Sequence, residues 1–286
     1  MDIANLFSVK EKVVLITGGA KGLGLMISTG FVLAGAKVYI SSRDAAACTA
    51  ACASLNALPP SPTTPLGTAI PLPADLSLLP SVHRLAATLT SLEPAGLHIL
   101  INNSGATWGE PFDTYPDAAW TKLLTINLQR VFSLTQALTP LMEKAAAASR
   151  TEGGVVADPS RVIHIGSIDG LRVPGMATFA YSASKAGLHQ LSRHLATELG
   201  PRGITSNVLA CGPFPSKMMA ATLRDHGEAI VRGNPMGRVG RAEDVAGACI
   251  WLGSRAGAWV NGATVRVDGG ASLVGVEMGG RGEAKL

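Results

Sequence analysis

The segment KVVLITGGAKGLG, residues 12–24, consists of an apolar run followed at once by a glycine-rich turn. The β-branched apolar run predicts a buried strand, and the glycines predict a tight turn that opens a helix. Backbone N–H groups at such a turn can approach a pyrophosphate at the positive end of the helix. Glycines serve any tight turn, so this interpretation depends on where the segment lies in the whole chain.

The rest of the chain alternates apolar strands with helical stretches. Further strands are predicted at KVYISSR (37–43), just before Asp75, and at LHILINNSG (97–105), RVIHIGS (161–167), ITSNVLA (204–210) and ATVRVDGG (263–270). Helices are predicted at residues 22–34, 44–55, 80–92, about 116–147, about 178–200 and from 242, with a loose segment at 212–238. Strands that are apolar on both faces, each followed by a helix, predict a parallel sheet with helices on both faces.

The sequence therefore predicts an α/β protein with a Rossmann-type, doubly wound, seven-stranded parallel sheet. We expect a single domain over residues 1–286, with a core from about 10 to 273 and a flexible tail at 274–286. Apolar residues make up 47% of the chain and charged residues 15%, which is typical of a well-filled core.

Charge and cysteine content exclude several classes of function. The net charge is +4, and the basic residues are scattered, so we expect no nucleic-acid partner. No apolar run is long enough to cross a membrane, and no leader is recognisable at the N-terminus, which predicts a soluble intracellular protein. The four cysteines have no metal-ligand spacing, so we expect buried thiols and no metal.

The C-terminal tripeptide Ala284-Lys285-Leu286 is a conservative variant of the Ser-Lys-Leu peroxisomal address. It predicts residence in the peroxisome and binding by an import receptor. The alternative location is the cytoplasm.

The end of the second predicted strand indicates which dinucleotide binds. NAD-binding proteins usually have an acidic residue there, which accepts a hydrogen bond from the ribose 2′-OH. Here the strand ends Ser41-Ser42-Arg43, and Lys21 lies in the glycine turn. Two cations suit a 2′-phosphate, which Arg43 could grip with two hydrogen bonds, so we expect NADP(H). The next residue, Asp44, is expected to cap or begin the following helix.

Several motifs together resemble the short-chain dehydrogenase/reductase family. They are TGGAKGLG (17–24), ADLS (74–77), NNSG (102–105), Asn127, Ser167, YSASK (181–185) and VDGG (267–270). The likeness covers about residues 10–273 and is greatest to the 3-oxoacyl reductases, particularly the rhamnolipid-type branch. Cys211 departs from the family pattern, which usually has proline there. The resemblance implies an oxidoreductase that forms homo-dimers or homo-tetramers.

The pair Tyr181 and Lys185 fits the chemistry of ketone reduction. Hydride transfer builds negative charge on the ketone oxygen, which needs a proton donor, and a lysine one helical turn away is expected to lower the pKa of the tyrosine. The resemblance implies that Ser167 hydrogen-bonds the substrate oxygen and that Lys185 also holds the nicotinamide ribose. It further implies that Asn127 holds a water that relays protons.

The remaining predicted site residues contact cofactor or substrate. Along the cofactor we expect Gly18, Lys21, Gly22, Leu23, Gly24, Ser42, Arg43, Asp75, Asn102, Gly105, Tyr181, Lys185, Gly212, Phe214 and Ser216. By resemblance, Asp75 contacts the adenine, Asn102 and Gly105 line the adenosine side, and Phe214 and Ser216 lie near the nicotinamide carboxamide. Apolar pocket walls are expected at Trp108, Val173, Met176, Phe179, Met218, Met219 and Leu223.

These features predict an NADPH-dependent reductase of a 3-oxoacyl thioester or another apolar ketone. A polyol or sugar-acid dehydrogenase is one alternative, and a preference for NADPH and apolar ketones would exclude it. A non-catalytic dinucleotide-binding protein is the other, but it would have no need of Ser167, Tyr181, Lys185 and Asn127.

Overall fold

A computed structural model describes residues 2–60 and 64–274 of the chain. In this part of the chain a parallel sheet of seven strands forms: β1 Val13–Thr17, β2 Lys37–Ser41, β3 Thr68–Pro71, β4 Ile99–Asn102, β5 Ser160–Ile165, β6 Ile204–Cys211 and β7 Thr264–Val267. Their order across the sheet is β3-β2-β1-β4-β5-β6-β7. The predicted doubly wound fold is confirmed. The tripeptide Ala284-Lys285-Leu286 lies outside the described residues.

Helices connect successive strands and cover both faces of the sheet. They are α1 Ile3–Leu6, α2 Gly22–Leu33, α3 Ala45–Asn56, α4 Leu79–Leu92, α5 Asp117–Leu124, α6 Arg130–Ala147, α7 Phe179–Leu199, α8 Ala220–Arg232 and α9 Ala242–Gly253. No helix among the described residues is both long and apolar enough to cross a membrane.

The first strand shows how one apolar run supports two cores. Because side chains alternate along a strand, Val14 and Ile16 pack with the apolar residues of α2, α3 and α9. Leu15 points to the other face and packs with residues of α4, α6 and α7. All five residues of β1 are buried, which is why this strand reads as a continuous apolar run.

The predicted helix over about 116–147 is not a single α-helix. It consists of α5, a π-helical turn at Thr125–Gln129, and α6. A π-turn inserts one extra residue into the helix and turns the side chains that follow it. Asn127 lies in the middle of this turn, so the interruption falls on a predicted site residue.

The prediction of a loose segment at 212–238 was wrong in part. Residues Ala220–Arg232 form α8, none of whose residues is buried. The segment is amphipathic, but Gly227 lowers its helix propensity, and the glycine and proline residues on either side of it favoured a loop. The segments on either side of α8, 212–219 and 233–241, are irregular or turn-like, as expected.

The strand order places the functional edge of the sheet. The chain winds outward in both directions from β1 and β4, and ligands bind beyond the carboxyl ends of the strands at such a switch point. The glycine turn follows β1, and Asn103 follows β4. Ser167 follows β5, and Gly212 follows β6.

Candidate active site

The glycine turn after β1 has room only for backbone. Gly18 has a φ of +65°, and a Cβ on Gly24 would lie 2.1 Å from the carbonyl oxygen of Gly18. The side-chain amide of Asn103 donates to the carbonyl oxygens of Thr17 (2.8 Å) and Gly18 (3.2 Å). In return, the Thr17 hydroxyl accepts from the N–H of Asn103 at 2.9 Å. This cradle fits a dinucleotide pyrophosphate at the start of α2.

Two residues of the NNSG motif differ from expectation. Asn102 is 3% exposed, and its amide donates to Thr135 Oγ1 at 3.2 Å, so its side chain faces the interior and not the adenosine side of the cleft. A Cβ on Gly105 would lie 3.8 Å from Lys185 Nζ and 3.0 Å from Asn127 Oδ1, which places this glycine beside the predicted catalytic lysine. Asn103 contacts the glycine turn instead. The repeated asparagine was the available signal, but the sequence does not show which of the two side chains turns outward.

Basic side chains gather at the end of β2. Lys21 Nζ lies 3.0 Å from Asp44 Oδ2, and Arg43 is exposed. Asp44 caps α3 by accepting from the N–H of Ala47 at 2.9 Å, as predicted. That hydrogen bond first, and Lys21 second, hold the pKa of Asp44 below its usual value. Because Asp44 is occupied in this way, Arg43 and Lys21 dominate the surface that an adenosine 2′-phosphate would contact.

Asp75 lies close to the same surface. Its carboxylate accepts from the hydroxyl (2.7 Å) and the N–H (2.9 Å) of Ser77. These bonds lower the pKa of Asp75, and the charge of Arg43 adds to the effect. Asp75 and Arg43 therefore lie close enough for their charges to interact.

The predicted acid and its neighbours meet beyond β5. Tyr181 is in the first turn of α7, and Lys185 follows one turn later with its Nζ 5.7 Å from the centroid of the Tyr181 ring. Lys185 Nζ also donates to the carbonyl oxygen of Ile165 at 2.8 Å. Ser167 caps the short turn after β5, where its hydroxyl accepts from the N–H of Asp169 at 3.1 Å. The structure thus brings Ser167, Tyr181 and Lys185 together.

Burial shifts the pKa values of this group away from the charged forms. It raises the pKa of Tyr181 to about 12, with Ser167 opposing the shift and Asp169 adding to it. It lowers the pKa of Lys185 to about 8. The expected lowering of the tyrosine pKa by Lys185 is therefore absent here, because burial dominates and the ammonium is directed at the Ile165 carbonyl. The phenol stays protonated at neutral pH, which is the form that a proton donor requires.

Asn127 links the loop after β4 to α7. Its Oδ1 accepts from the N–H of Ala106 at 2.9 Å, and its Nδ2 donates to the carbonyl of Ala106 (2.9 Å) and to Ser184 Oγ (3.0 Å). Both amide protons are used, so the side chain can accept from a water only through the remaining lone pair of Oδ1. Ser184 was not among the predicted residues, although it lies between Tyr181 and Lys185 in the YSASK motif.

The residues after β6 divide between cleft and core. Ser216 lies next to the glycine turn, since a Cβ on Gly22 would be 3.2 Å from the Ser216 Cβ. Gly212 packs against Asp268, whose side chain a Cβ on Gly212 would approach to 2.8 Å. Phe214 is 1% exposed and packs in the core, so its side chain does not line the cleft.

The predicted pocket residues are all exposed or half-buried apolar side chains. Val173, Met176, Phe179 and Met218 are exposed large apolar side chains, with Val173 at 93%. Trp108, Met219 and Leu223 are half-buried. Phe179 packs edge to face against Phe112, with 5.9 Å between ring centroids, and against Tyr115 at 5.3 Å. Neither Phe112 nor Tyr115 was predicted, since neither belongs to a motif.

Two buried titratable side chains, His189 and Cys211, lie within electrostatic range of Lys185. His189 is 2% exposed, both of its ring nitrogens lack a hydrogen-bond partner among the described residues, and burial lowers its pKa to about 4. Cys211 is a buried free thiol whose pKa burial raises to about 12. Residues 2–60 and 64–274 contain no cluster of three or more His, Cys, Asp or Glu side chains that could hold a metal.

The doubly wound sheet, the glycine cradle and the Ser–Tyr–Lys group define a dinucleotide-dependent oxidoreductase. A family model described as short chain dehydrogenase matches residues 12–227. The chain belongs to the short chain dehydrogenase family.

Individual relatives cover almost the whole chain. The rhamnolipids biosynthesis 3-oxoacyl-(acyl-carrier-protein) reductase of Pseudomonas aeruginosa is 41% identical over 269 residues, which are 93% of this chain and 98% of the relative. The galactitol 2-dehydrogenase (L-tagatose-forming) of Cereibacter sphaeroides is 30% identical over 279 residues, which are 96% of this chain and 100% of the relative. Among solved structures, the Pseudomonas aeruginosa RhlG/NADP active-site complex has a TM-score of 0.85 and 41% identity, covering 94% of this chain and 99% of that one.

Proposed function

We propose that this protein uses NADPH to reduce a 3-oxoacyl thioester, or a related apolar ketone, to a secondary alcohol. The observation that carries the proposal is the position of the Tyr181 phenol beside Ser167 and Lys185, beyond the carboxyl end of β5. A proton-transfer group in this place serves the interconversion of a carbonyl and an alcohol. A non-catalytic dinucleotide-binding protein would not need it.

Each residue of this group has a separate task in the proposed reaction. When bound, NADPH would supply a hydride to the carbonyl carbon, and the electron pair of the C=O bond would move to the oxygen. Ser167 donates a hydrogen bond to that oxygen and stabilises its developing charge. Tyr181 gives its phenolic proton to the oxygen, which completes the alcohol. Tyr181 is then reprotonated from solvent, and Lys185 would hold the nicotinamide ribose, as the family resemblance implies.

The cofactor is NADP(H), and the chain offers a physical reason for that choice. Arg43 follows β2, where an NAD-specific protein would have an acidic residue, and Lys21 lies in the glycine turn after β1. Asp44, the acid that follows Arg43, is occupied as the cap of α3 and by Lys21. The related Pseudomonas structure is an NADP complex.

Two features favour an apolar acyl substrate over a polyol. The segment between Ser167 and Tyr181 carries exposed Val173, Met176 and Phe179, whose side chains offer apolar contact area and no hydrogen bonds for sugar hydroxyls. The more similar of the two relatives described above is a 3-oxoacyl reductase, whereas the galactitol dehydrogenase is only 30% identical.

A substrate panel tests this proposal. NADPH oxidation is followed with 3-oxoacyl thioesters of increasing chain length, aromatic ketones and keto-sugars, and NADP⁺ reduction is followed with polyols. We expect kcat/KM to be highest for the oxoacyl thioesters and to rise with chain length. Faster turnover of a polyol or a keto-sugar than of every apolar ketone would contradict the proposed substrate class.

We also propose that residues 10–273 act as one catalytic domain in a homo-oligomer. Trp120, Leu124 and Phe132 are exposed apolar side chains on α5 and α6, next to the helix of Asn127. Pairing two copies through this surface would remove these side chains from water. Light scattering of the purified chain should give a dimer or tetramer, and Phe132→Glu should shift it toward the monomer.

A further inference from the structure

Helix α7, which carries Tyr181, begins without a cap from its own sequence. The N-cap residue is Thr178, and its side chain accepts no hydrogen bond from the first turn. Its hydroxyl is directed at the carbonyl of Met176, at 3.5 Å. The first N–H groups of a helix have no partner within the helix, so the start of α7 needs an acceptor from elsewhere.

Tyr115 supplies that acceptor from a distant part of the chain. The N–H of Ala180 donates to the Tyr115 hydroxyl at 3.3 Å, across a separation of 65 residues. Ala180 is the second residue of α7, the position whose N–H a capping side chain ordinarily satisfies. It also directly precedes Tyr181, so this hydrogen bond is attached to the backbone of the proposed acid.

The same hydroxyl connects α7 to the loop after β4. Tyr115 donates to the carbonyl oxygen of Trp108 at 3.4 Å. Close by, the N–H of Glu110 donates to the carbonyl of Ala177 at 3.1 Å. The loop and the start of α7 therefore form one unit, in which Tyr115 makes the contact next to Tyr181.

The ring of Tyr115 fixes the direction of its hydroxyl. It packs edge to face against Phe179 at 5.3 Å and against Trp120 at 6.2 Å, measured between ring centroids. Such pairs hold aromatic rings in defined orientations. The hydroxyl is thus held at the start of α7 by contacts with α5 on one side and with α7 itself on the other.

We propose that Tyr115 is a positioning residue for Tyr181: as an external cap of α7, it holds the phenol of the acid at the distance from the substrate oxygen that proton transfer needs. A displacement of about 1 Å of a catalytic group can lower turnover about a hundredfold, so a single backbone hydrogen bond at this place has a kinetic effect. The proposal rests on the reductase function above.

Tyr115→Phe tests the proposal because it removes the hydroxyl and keeps the ring. We expect the single-turnover rate of NADPH oxidation to fall about tenfold and its solvent deuterium isotope effect to rise, while the Kd of NADPH stays within twofold. The control is Tyr39→Phe in β2, which removes a phenol hydrogen bond to the Glu93 carboxylate at the end of α4. It should leave the turnover rate within twofold of the unaltered protein.

A second measurement does not depend on activity. Hydrogen exchange of the first turn of α7, residues 179–182, should quicken at least fivefold in Tyr115→Phe and stay unchanged in Tyr39→Phe. Unchanged exchange, or equal loss of turnover in both variants, would overturn the role of Tyr115. If the unaltered protein reduces no ketone while hydrogen exchange responds as expected, the proposed reductase function is contradicted and the role of Tyr115 as a cap of α7 is supported.

Discussion

Tyr181 and Lys185 respond to burial in opposite ways because one is a neutral acid and the other a cationic base. Burial raises the pKa of Tyr181 to about 12 and lowers that of Lys185 to about 8. At pH 7 the phenol therefore keeps its proton, and most of the lysine is charged. At the residue scale this combination suits reduction, in which the proton starts on the tyrosine and the charge that remains lies near an ammonium.

Cofactor choice is also decided by single residues, and Arg43 tests it. Arg43→Ala should raise the Kd of NADPH about thirtyfold or more and that of NADH less than threefold, because only NADPH carries the 2′-phosphate. Fluorescence titration measures both constants. Arg84→Ala, an exposed arginine on α4, is the matched control and should change neither. Equal weakening of both cofactors by Arg43→Ala would refute the assignment.

At the element scale, repeating patterns were predictable and interruptions were not. The strands that form the sheet are apolar on both faces, and the glycine turn fixes where the first helix starts, so these features follow from the local sequence. The π-turn at Thr125–Gln129 has no such signal, because it shifts a helix by only one residue. Helix α8 was missed because glycine and proline residues lie within or beside it, although its own apolar residues recur with helical spacing.

The site divides in the same way. The motifs were sufficient to predict that Ser167, Tyr181 and Lys185 lie together, because the carboxyl end of β5 and the start of α7 are adjacent in this fold. It could not show that Asn102 turns inward or that Tyr115 caps α7 from 65 residues away. Both depend on tertiary contacts, which a local pattern does not record.

The link made by Asn127 gives a prediction for the π-turn. Asn127→Ala removes three hydrogen bonds and leaves the N–H and carbonyl of Ala106 without their partner. We expect the free energy of unfolding to fall by about 2 kcal/mol and kcat to fall at least tenfold. Urea unfolding and steady-state kinetics measure the two effects.

A second asparagine provides the matched control for that experiment. Asn56 clamps the backbone of Ala69 in the same two-bond manner, at 2.7 and 2.9 Å, next to β3 and away from the site. Asn56→Ala should lower stability and leave kcat unchanged. If Asn127→Ala behaves in the same way, its link to α7 has no catalytic role.

At the scale of the whole molecule, two buried histidines make the stability of the fold depend on pH. Burial lowers the pKa of His164 to about 3 and that of His189 to about 4, from an ordinary value of 6.5. Between these values the unfolded chain binds protons that the folded protein does not. The part of the free energy of unfolding that depends on each neutral histidine is therefore fully present above pH 6.5. It is lost as the pH falls toward the folded-state pKa of that histidine.

His189→Leu should reduce this sensitivity to acid. For a shift from 6.5 to about 4, the loss from His189 alone is about 2 kcal/mol at pH 5. The variant should therefore gain stability over the unaltered protein as the pH falls from 7.5 to 5, when urea unfolding is compared at both values. His83→Leu, at an exposed position on α4, should show no such gain. An equal response of both variants would rule out a special role for the buried ring.

The central claim is that Tyr181 donates the proton during NADPH-dependent ketone reduction. The most direct measurement is the single-turnover rate of NADPH oxidation with a 3-oxoacyl thioester, compared between the unaltered protein and Tyr181→Phe. We predict that the variant binds NADPH with an unchanged Kd and loses at least a hundredfold in rate, the range that a general acid contributes. A rate within a fewfold of the unaltered protein, with the cofactor bound equally well, would contradict the claim.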